Sequence, residues 1–354
     1  MGERRTTLTL LMTLCLVLPT LFLPLVSASE DSWTTLTPMP TARVDLGVAV
    51  VDGKIFAIGG TNGSYLNVNE MYDPVTDTWV TKTSMPTARS GFGIAVYQNK
   101  IYVIGGQNDV LDFTRVNEVY DPATDTWETR TRHPAPRAGF CANVVNGKIY
   151  LIGGFASFFS PFPAAYETYV YDPETDTWTE KTSTPTAVSN YASAVIDNKI
   201  YVIGGRYVPD MITYNLTQIY DTETDTWSYG TSLQTPISDA ATGATTGVFA
   251  PTRIYVLGGT SIAGNDLNQI YDPETDTWST GASMPTSRAR LAVAVVNDTL
   301  YAIGGRNAGN FLAVNEQYTP VDYIPEFPSW IILPLFVTAT LFVLFLNKKT
   351  VTSD

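Results

Sequence analysis

The octapeptide "YDPETDTW" stands at residues 171–178 and again, unchanged, at residues 271–278. Three near copies accompany it: "YDPVTDTW" from Tyr72, "YDPATDTW" from Tyr120 and "YDTETDTW" from Tyr220. A phrase written five times is a structural unit and not a single active site. Self-similarity at a period near fifty residues decides the architecture before any local feature does.

Working outward from the phrase, tryptophans recur at Trp33, Trp79, Trp127, Trp178, Trp227 and Trp278. Diglycines begin at Gly59, Gly105, Gly153, Gly204, Gly258 and Gly304. The distance from Trp to the following Gly is 26 residues in five repeats and 31 in the other, whereas Gly to the next Trp varies between 20 and 25. One half of the repeat is rigid and the other accepts insertions. The rigid half reads as a hairpin: an apolar run such as "LGVAVV", a turn such as "DG", and a second run such as "KIFAIGG". Turn pairs such as Asp52-Gly53, Asn146-Gly147, Asp197-Asn198 and Asn297-Asp298 accept the positive φ that a type I′ turn requires at both positions. The first run is apolar almost throughout, so both its faces are expected to be buried. After the diglycine come a variable loop, a strand ending in Tyr, the Asp-rich turn, and a strand opened by Trp.

Such four-stranded antiparallel units bury both faces when arranged radially, which predicts an all-β, six-bladed β-propeller. The diglycine, Tyr and Trp in fixed order over about residues 30 to 320 resemble the kelch repeat. The resemblance implies a kelch-type propeller in which these residues hold the blades together. The last repeat has "RLAVAVV", "TLYAIGG" and "VNEQYTP" but no Trp strand after Tyr318, while "SWTTLTPMP" around Trp33 is a Trp strand with nothing before it. The N-terminal strand is therefore expected to close the last blade.

Beyond the propeller, expected over 29–322, the ends read as targeting segments. Arg4-Arg5, an apolar stretch from Leu8 to Val26 and "VSA" give a secretory signal over 1–28 with cleavage after Ala28, or an uncleaved anchor. Neither a twin-arginine context nor a lipobox around Cys15 is present. A linker over 323–328 precedes an apolar stretch at 329–347, long enough to cross a bilayer as a helix, and a basic tail at 348–354. That order predicts a propeller at the cell surface, extracytoplasmic and membrane-anchored. Pro325-Glu326-Phe327, the apolar span and the tail resemble PEF-type C-terminal sorting signals of archaeal surface proteins, which implies removal of the tail by a membrane transpeptidase; permanent anchoring is the alternative. On export, Asn62, Asn215 and Asn297 would be glycosylation acceptors.

The net charge of −13 without a basic stripe argues against nucleic acid as a partner. Thirteen of the 34 acidic residues lie in the five Asp-rich turns, where Asx-turn chemistry explains them without a metal. An EF-hand pattern, a zinc cluster, a nucleophile elbow and a phosphate loop are all missing, so no cofactor is expected. A copper propeller oxidase needs two His and a Tyr-Cys pair, but the chain has one His, His133, which reads as a surface residue. "TDTW" lacks the central Gly of the sialidase Asp box. Some six-bladed kelch proteins are sugar epimerases, so the resemblance leaves an enzyme as the alternative to a binding module.

Two groups of residues compete for function. Arg43, Arg89, Arg137 and Arg288 precede the first strand of their repeats, and Glu70, Glu118 and Glu316 stand two residues before the repeat Tyr; repeats four and five carry neither, with Val188, Ile237, Gln218 and Gln269 instead. Such co-occurrence suggests contact, either as buried structural pairs or as anion handlers facing a channel. The second group lies in the longest variable loops: Phe158, Phe159 and Phe162 in an uncharged insertion, and Tyr207 and Tyr214 in the next. Loops on a rigid scaffold are where recognition concentrates, and these aromatics suit a glycan or a surface protein.

Overall fold

The computed structural model describes residues 30–108, 112–155, 165–207, 212–260 and 264–324. The signal segment, the apolar stretch at 329–347 and the sorting motif lie outside the described residues. No helix among the described residues is long and apolar enough to cross a membrane.

Six four-stranded antiparallel sheets form the blades of a propeller. Blade one runs inner to outer as Gly47–Val51, Lys54–Ile58, Asn69–Asp73 and Thr78–Thr81. Blade six takes Ala292–Val296, Thr299–Ile303 and Asn315–Thr319 from the end of the repeat region and Ser32–Thr35 from its start. Trp33 pairs with Tyr318 in the register that Trp79 keeps with Tyr72, so the N-terminal strand completes the last blade as a true repeat member.

The blades are joined by a clasp that the phrase "TDTW" encodes. Asp77 adopts φ 53°, in the left-handed region that Asp tolerates. Its Oδ1 accepts from the Tyr72 hydroxyl of its own blade at 2.7 Å and from the Thr37 N–H, just past the outer strand of blade six, at 2.9 Å. Trp79 Nε1 donates to the Thr37 carbonyl at 3.0 Å. One residue is thus gripped at its N–H and at its C=O by the next blade. The same grip recurs with Asp125 and Trp127 on Thr83, Asp176 and Trp178 on Thr131, Asp225 and Trp227 on Thr182, and Asp276 and Trp278 on Thr231. The sixth is built by Asp31 and Trp33 on Ala282, with Asp31 also accepting from Tyr318. The Tyr72 hydroxyl holds the Asp77 carboxyl below the ordinary carboxylate range, as Tyr120 does for Asp125. The first Asp of each phrase does form an Asx turn, Asp73 Oδ1 accepting from Val75 N–H at 2.9 Å.

Three expectations are corrected. The inner strands alternate buried with half-buried positions, because Val48, Val50 and their counterparts line the central channel and do not face protein on both sides. Of the turn pair Asp197-Asn198, only Asp197 takes a positive φ. His133 is buried, at 1 % exposure, and not on the surface. It fills the repeat slot that Met39, Met85, Leu233 and Met284 fill elsewhere, stacked between Phe140, Tyr169 and Trp178. Burial holds its imidazole at a pKa of about 4.

The insertion of blade five, residues 245–253, is pinned by one carboxylate. Asp298, in the tight turn of blade six, accepts from the N–H groups of Thr246, Val248, Phe249 and Ala250 and from the Thr246 hydroxyl, at 2.6 to 3.1 Å. Burial pushes this carboxyl up, but the donors outweigh it and hold it below the usual range.

Two predictions follow from the clasp and the buried imidazole. Asp31→Ala, like Asp125→Ala, removes a charge-assisted acceptor and should lower unfolding free energy by ~1–3 kcal/mol. Urea midpoints check this, and an Asp31 variant as stable as the parent would show that the ring does not depend on its sixth clasp. For His133, the unfolded chain takes a proton near the ordinary histidine value of 6.5 and the native one only near 4. Stability tied to this group is therefore present above 6.5 and lost as pH falls from there to about 4, by up to roughly 3 kcal/mol. His133→Met, which restores the residue used by neighbouring repeats, should show a flatter pH dependence of thermal midpoint over that window.

Candidate functional site

Each inner strand is entered through one residue in the left-handed region: Asp45, Gly91, Gly139, Asn190, Asp239 and Arg290, with φ between 51° and 67°. Their backbones bond to one another. Gly91 N–H donates to the Asp45 carbonyl, Gly139 to Gly91, Asn190 to Gly139, Asp239 to Asn190, Arg290 to Asp239, and Asp45 back to Arg290, at 2.7 to 3.1 Å. Six bonds close a belt around the channel mouth. Asp, Asn and Gly visit this conformation readily, but Arg290 does not, and strain held by surrounding structure marks functional sites more often than others.

A second ring sits beside the belt, formed by the residue after each diglycine: Thr61, Gln107, Phe155, Arg206, Thr260 and Arg306. Bridges between strands fix it, as in Ser189 with Arg206 and Ala289 with Arg306. The two rings frame a cavity of about 470 Å³ lined by Asp45, Gln107, Asn190, Arg206, Asp239 and Arg290 among others, with Phe155 and Tyr191 supplying aromatic surface.

Charges converge here. Arg290 reaches Asp45 at 3.2 Å and Asp239 at 3.4 Å. Arg206 lies 3.8 Å from Asp239 and over the Phe155 ring at 5.7 Å, a cation–π arrangement. Asn190 Nδ2 donates to Asp239 at 2.6 Å. Burial pushes the Asp45 carboxyl up, against the opposing pull of Arg290. In chemical terms the mouth offers guanidinium donors, carboxylate acceptors and one carboxyl shifted toward its protonated form, which suits hydroxyl-rich ligands and, in principle, proton transfer.

The residues singled out from the sequence are placed elsewhere. Arg43 bonds Glu70 at 2.5 Å, Arg89 bonds Glu118, and Arg288 bonds Glu316 at 2.7 Å. All six side chains are essentially inaccessible, and the guanidinium groups also donate to backbone carbonyls such as Ala57, Val103 and Ala302. A Thr hydroxyl completes each pair, as Thr87 does on Glu118 at 2.7 Å. In blade three, Arg137 instead meets Glu167 at 2.9 Å. In blade four, Gln218 replaces the pair by bonding Thr186 through both its N–H and C=O, and Gln269 receives the Thr235 N–H in blade five. These groups tie the segment entering each blade to the blade's third strand.

Phe158, Phe159 and Phe162 lie outside the described residues. Tyr207 is half-buried in the hairpin of Arg206–Tyr207 with Ile212–Thr213. Tyr214 packs against the core of blades three and four. Of the acceptor asparagines, Asn62 and Asn297 are exposed, whereas Asn215 donates to the Leu233 carbonyl at 3.2 Å. Asp45, Asn190, Arg206, Asp239 and Arg290 were not anticipated. The signal for Asp45, Asn190, Asp239 and Arg290 was the offset of two residues after Arg43, Val188, Ile237 and Arg288, where Asp, Gly or Asn recurs in five repeats and Arg breaks the series; Arg206 was marked only by its place after the diglycine.

Glu118→Gln breaks a buried ion pair and should destabilise the chain by ~3 kcal/mol, while Gln218→Ala, which removes only neutral hydrogen bonds, should cost ~1–2 kcal/mol. Chemical denaturation of the two variants checks the order, and equal effects would contradict the placement of charge in blade two.

Comparison with known proteins agrees with the geometry. The profile described as Attractin/LZTR1 beta-propeller matches residues 119–317, more than half of the chain, and that described as KLHDC2/KLHL20/DRC7 Kelch-repeats domain matches residues 20–154. Kelch-like protein terF of Aspergillus terreus is 28 % identical over 148 residues, covering 40 % of this chain and 32 % of its own. Spermatocyte protein spe-26 of Caenorhabditis elegans is 27 % identical over 178 residues, covering 48 % and 30 %. The chain thus spans about a third of the length of these curated relatives. The solved structure of YjhT superposes with a TM-score of 0.68 at 17 % identity, covering 80 % of this chain and 96 % of that one, which is a likeness of fold. With six clasped repeats and a matching profile over most of them, the chain belongs to the kelch-repeat β-propeller proteins, in the Attractin/LZTR1 propeller family.

Proposed function

We propose that this kelch propeller is an exported, membrane-tethered binding module whose ligand is a glycan, free or carried on a surface partner, seated in the channel mouth. The observation that carries the reading is the convergence of Asp45, Asp239, Arg206, Arg290 and Asn190 beside Phe155. Carboxylates and guanidinium groups bond sugar hydroxyls in pairs, and an aromatic face packs against the C–H face of a ring. Kelch propellers serve as general binding modules, and the belt holds these groups in a rigid frame. Export is supported by the signal segment and the apolar stretch at 329–347, and Asn62 and Asn297 are then the exposed acceptors for glycosylation.

A second reading, a sugar epimerase-like enzyme, is favoured by one observation: the Asp45 carboxyl is shifted upward within reach of Arg290, the arrangement a general acid or base needs. One experiment separates the two. The intact chain is screened on a glycan array, and each hit is tested for turnover by exchange of sugar protons with deuterated water. Arg206→Ala should weaken binding at least tenfold with the thermal midpoint moved by no more than about two degrees, as expected of a partly exposed side chain. Undiminished binding by this variant would remove the mouth as the site. Proton exchange that disappears in Asp45→Asn while binding persists would establish the enzyme.

A further inference from the structure

Below the mouth the channel continues as a second cavity of about 360 Å³. Most of its wall is apolar: Val48, Val50, Ile94, Val96, Val293 and Val295. One sector differs. Asn143, Ser193 and Thr242, from blades three, four and five, line both the mouth and the lower cavity and so mark the neck between them.

The repeat does not ask for these residues. Ser193 and Thr242 hold the register position that Val48, Ile94, Ala142 and Val293 hold in the other blades. Asn143 holds the next position, filled elsewhere by Ala49, Ala95, Ala194, Gly243 and Ala294. Asn143 is 5 % exposed; Ser193 Oγ donates to its Oδ1 at 2.9 Å, while Asn143 Nδ2 and Thr242 Oγ1 have no partner among the protein's own atoms. A buried amide donor left unbonded is destabilising, and alanine at this position would avoid the cost altogether. The group is therefore unexplained by folding.

We propose that the neck is a binding subsite for the uncharged, hydroxyl- or carbonyl-bearing end of a ligand entering from the mouth. Asn143 Nδ2 donates to a ligand oxygen, Thr242 Oγ1 donates or accepts beside it, and the apolar sector of Val48, Ile94 and Val293 covers the carbon skeleton. No charged side chain lines the lower cavity among the described residues, so a carboxylate or ammonium end would be desolvated there without compensation. The proposal deepens the glycan reading and rests on it only for the direction of entry.

The test uses a probe that needs no contact at the mouth. Saturation-transfer NMR of the intact chain with glycerol should give a saturable signal, reduced at least fivefold in Asn143→Ala and in Thr242→Val and unchanged in Val75→Ala, an exposed residue of an outer turn; glycerate, charged at the same size, should give little. Asn143→Ala introduces the residue other blades use, so it is expected to fold, and its thermal midpoint confirms that. Equal glycerol signals in the parent and both neck variants, or a signal reduced as far in Val75→Ala, would overturn the proposal. A negative glycan array with the neck result intact would remove the mouth reading alone.

Discussion

The structure depends on one residue per blade, gripped at its N–H by the next blade's Asp and at its C=O by the next blade's Trp. No helix or disulfide crosses the blades among the described residues; their one cysteine, Cys141, is free. Sheet packing alone would let blades slide on their apolar faces, because hydrophobic burial is not directional. The clasp supplies direction. It also explains why Asp, Tyr and Trp travel together: Tyr72 orients Asp77, Asp77 holds the neighbouring peptide, and Trp79 covers that peptide while packing on Tyr72 with ring centroids 4.9 Å apart.

Closure uses the same device. Asp31-Ser32-Trp33 repeats the spacing of Asp77-Thr78-Trp79, and so the N-terminal segment carries both the strand and the clasp that blade six lacks. The ring is then bound at two radii, by clasps at its periphery and by the backbone belt around the mouth. The belt consists of main-chain bonds, which any residue able to take a positive φ can make. Side chains there are released from structural duty and become free to vary, which is the condition for a binding site on a repetitive scaffold.

Blade number, strand order and the closing strand were legible in the sequence because each is written several times, so that insertions in one copy could be discounted against the others. The second role of the repeat Asp was not legible, since its partner is a main-chain N–H 40 or more residues away and carries no sequence mark. His133 was misread from its place in a segment between strands, when the repeat frame puts it in the slot of Met39 and Met85. The mouth was missed for a related reason. The loop aromatics such as Phe158 and Tyr207 stand out because they lengthen a repeat, whereas Asp239 and Arg290 change identity without changing length; Arg89 and Glu118 recur, and recurrence in a propeller marks what holds blades together.

The converse identifies where function should be sought. Departures from the repeat cluster in blades three to six: Asn190, Asp239 and Arg290 in the belt, Phe155 and Arg206 in the ring beside it, and Asn143, Ser193 and Thr242 in the neck. Blades four and five also exchange the buried ion pair for Gln218 and Gln269, which tie the same entering segment without charge. That exchange matters electrostatically. A buried ion pair close to a functional Arg or Asp competes for its field in a medium of low dielectric, whereas an amide does not. Neutral struts stand behind Asn190 and Asp239, whereas Asp45 and Arg290 sit beside the retained pairs Arg43–Glu70 and Arg288–Glu316, so the charges of the mouth are balanced across blades, Arg290 against both Asp45 and Asp239.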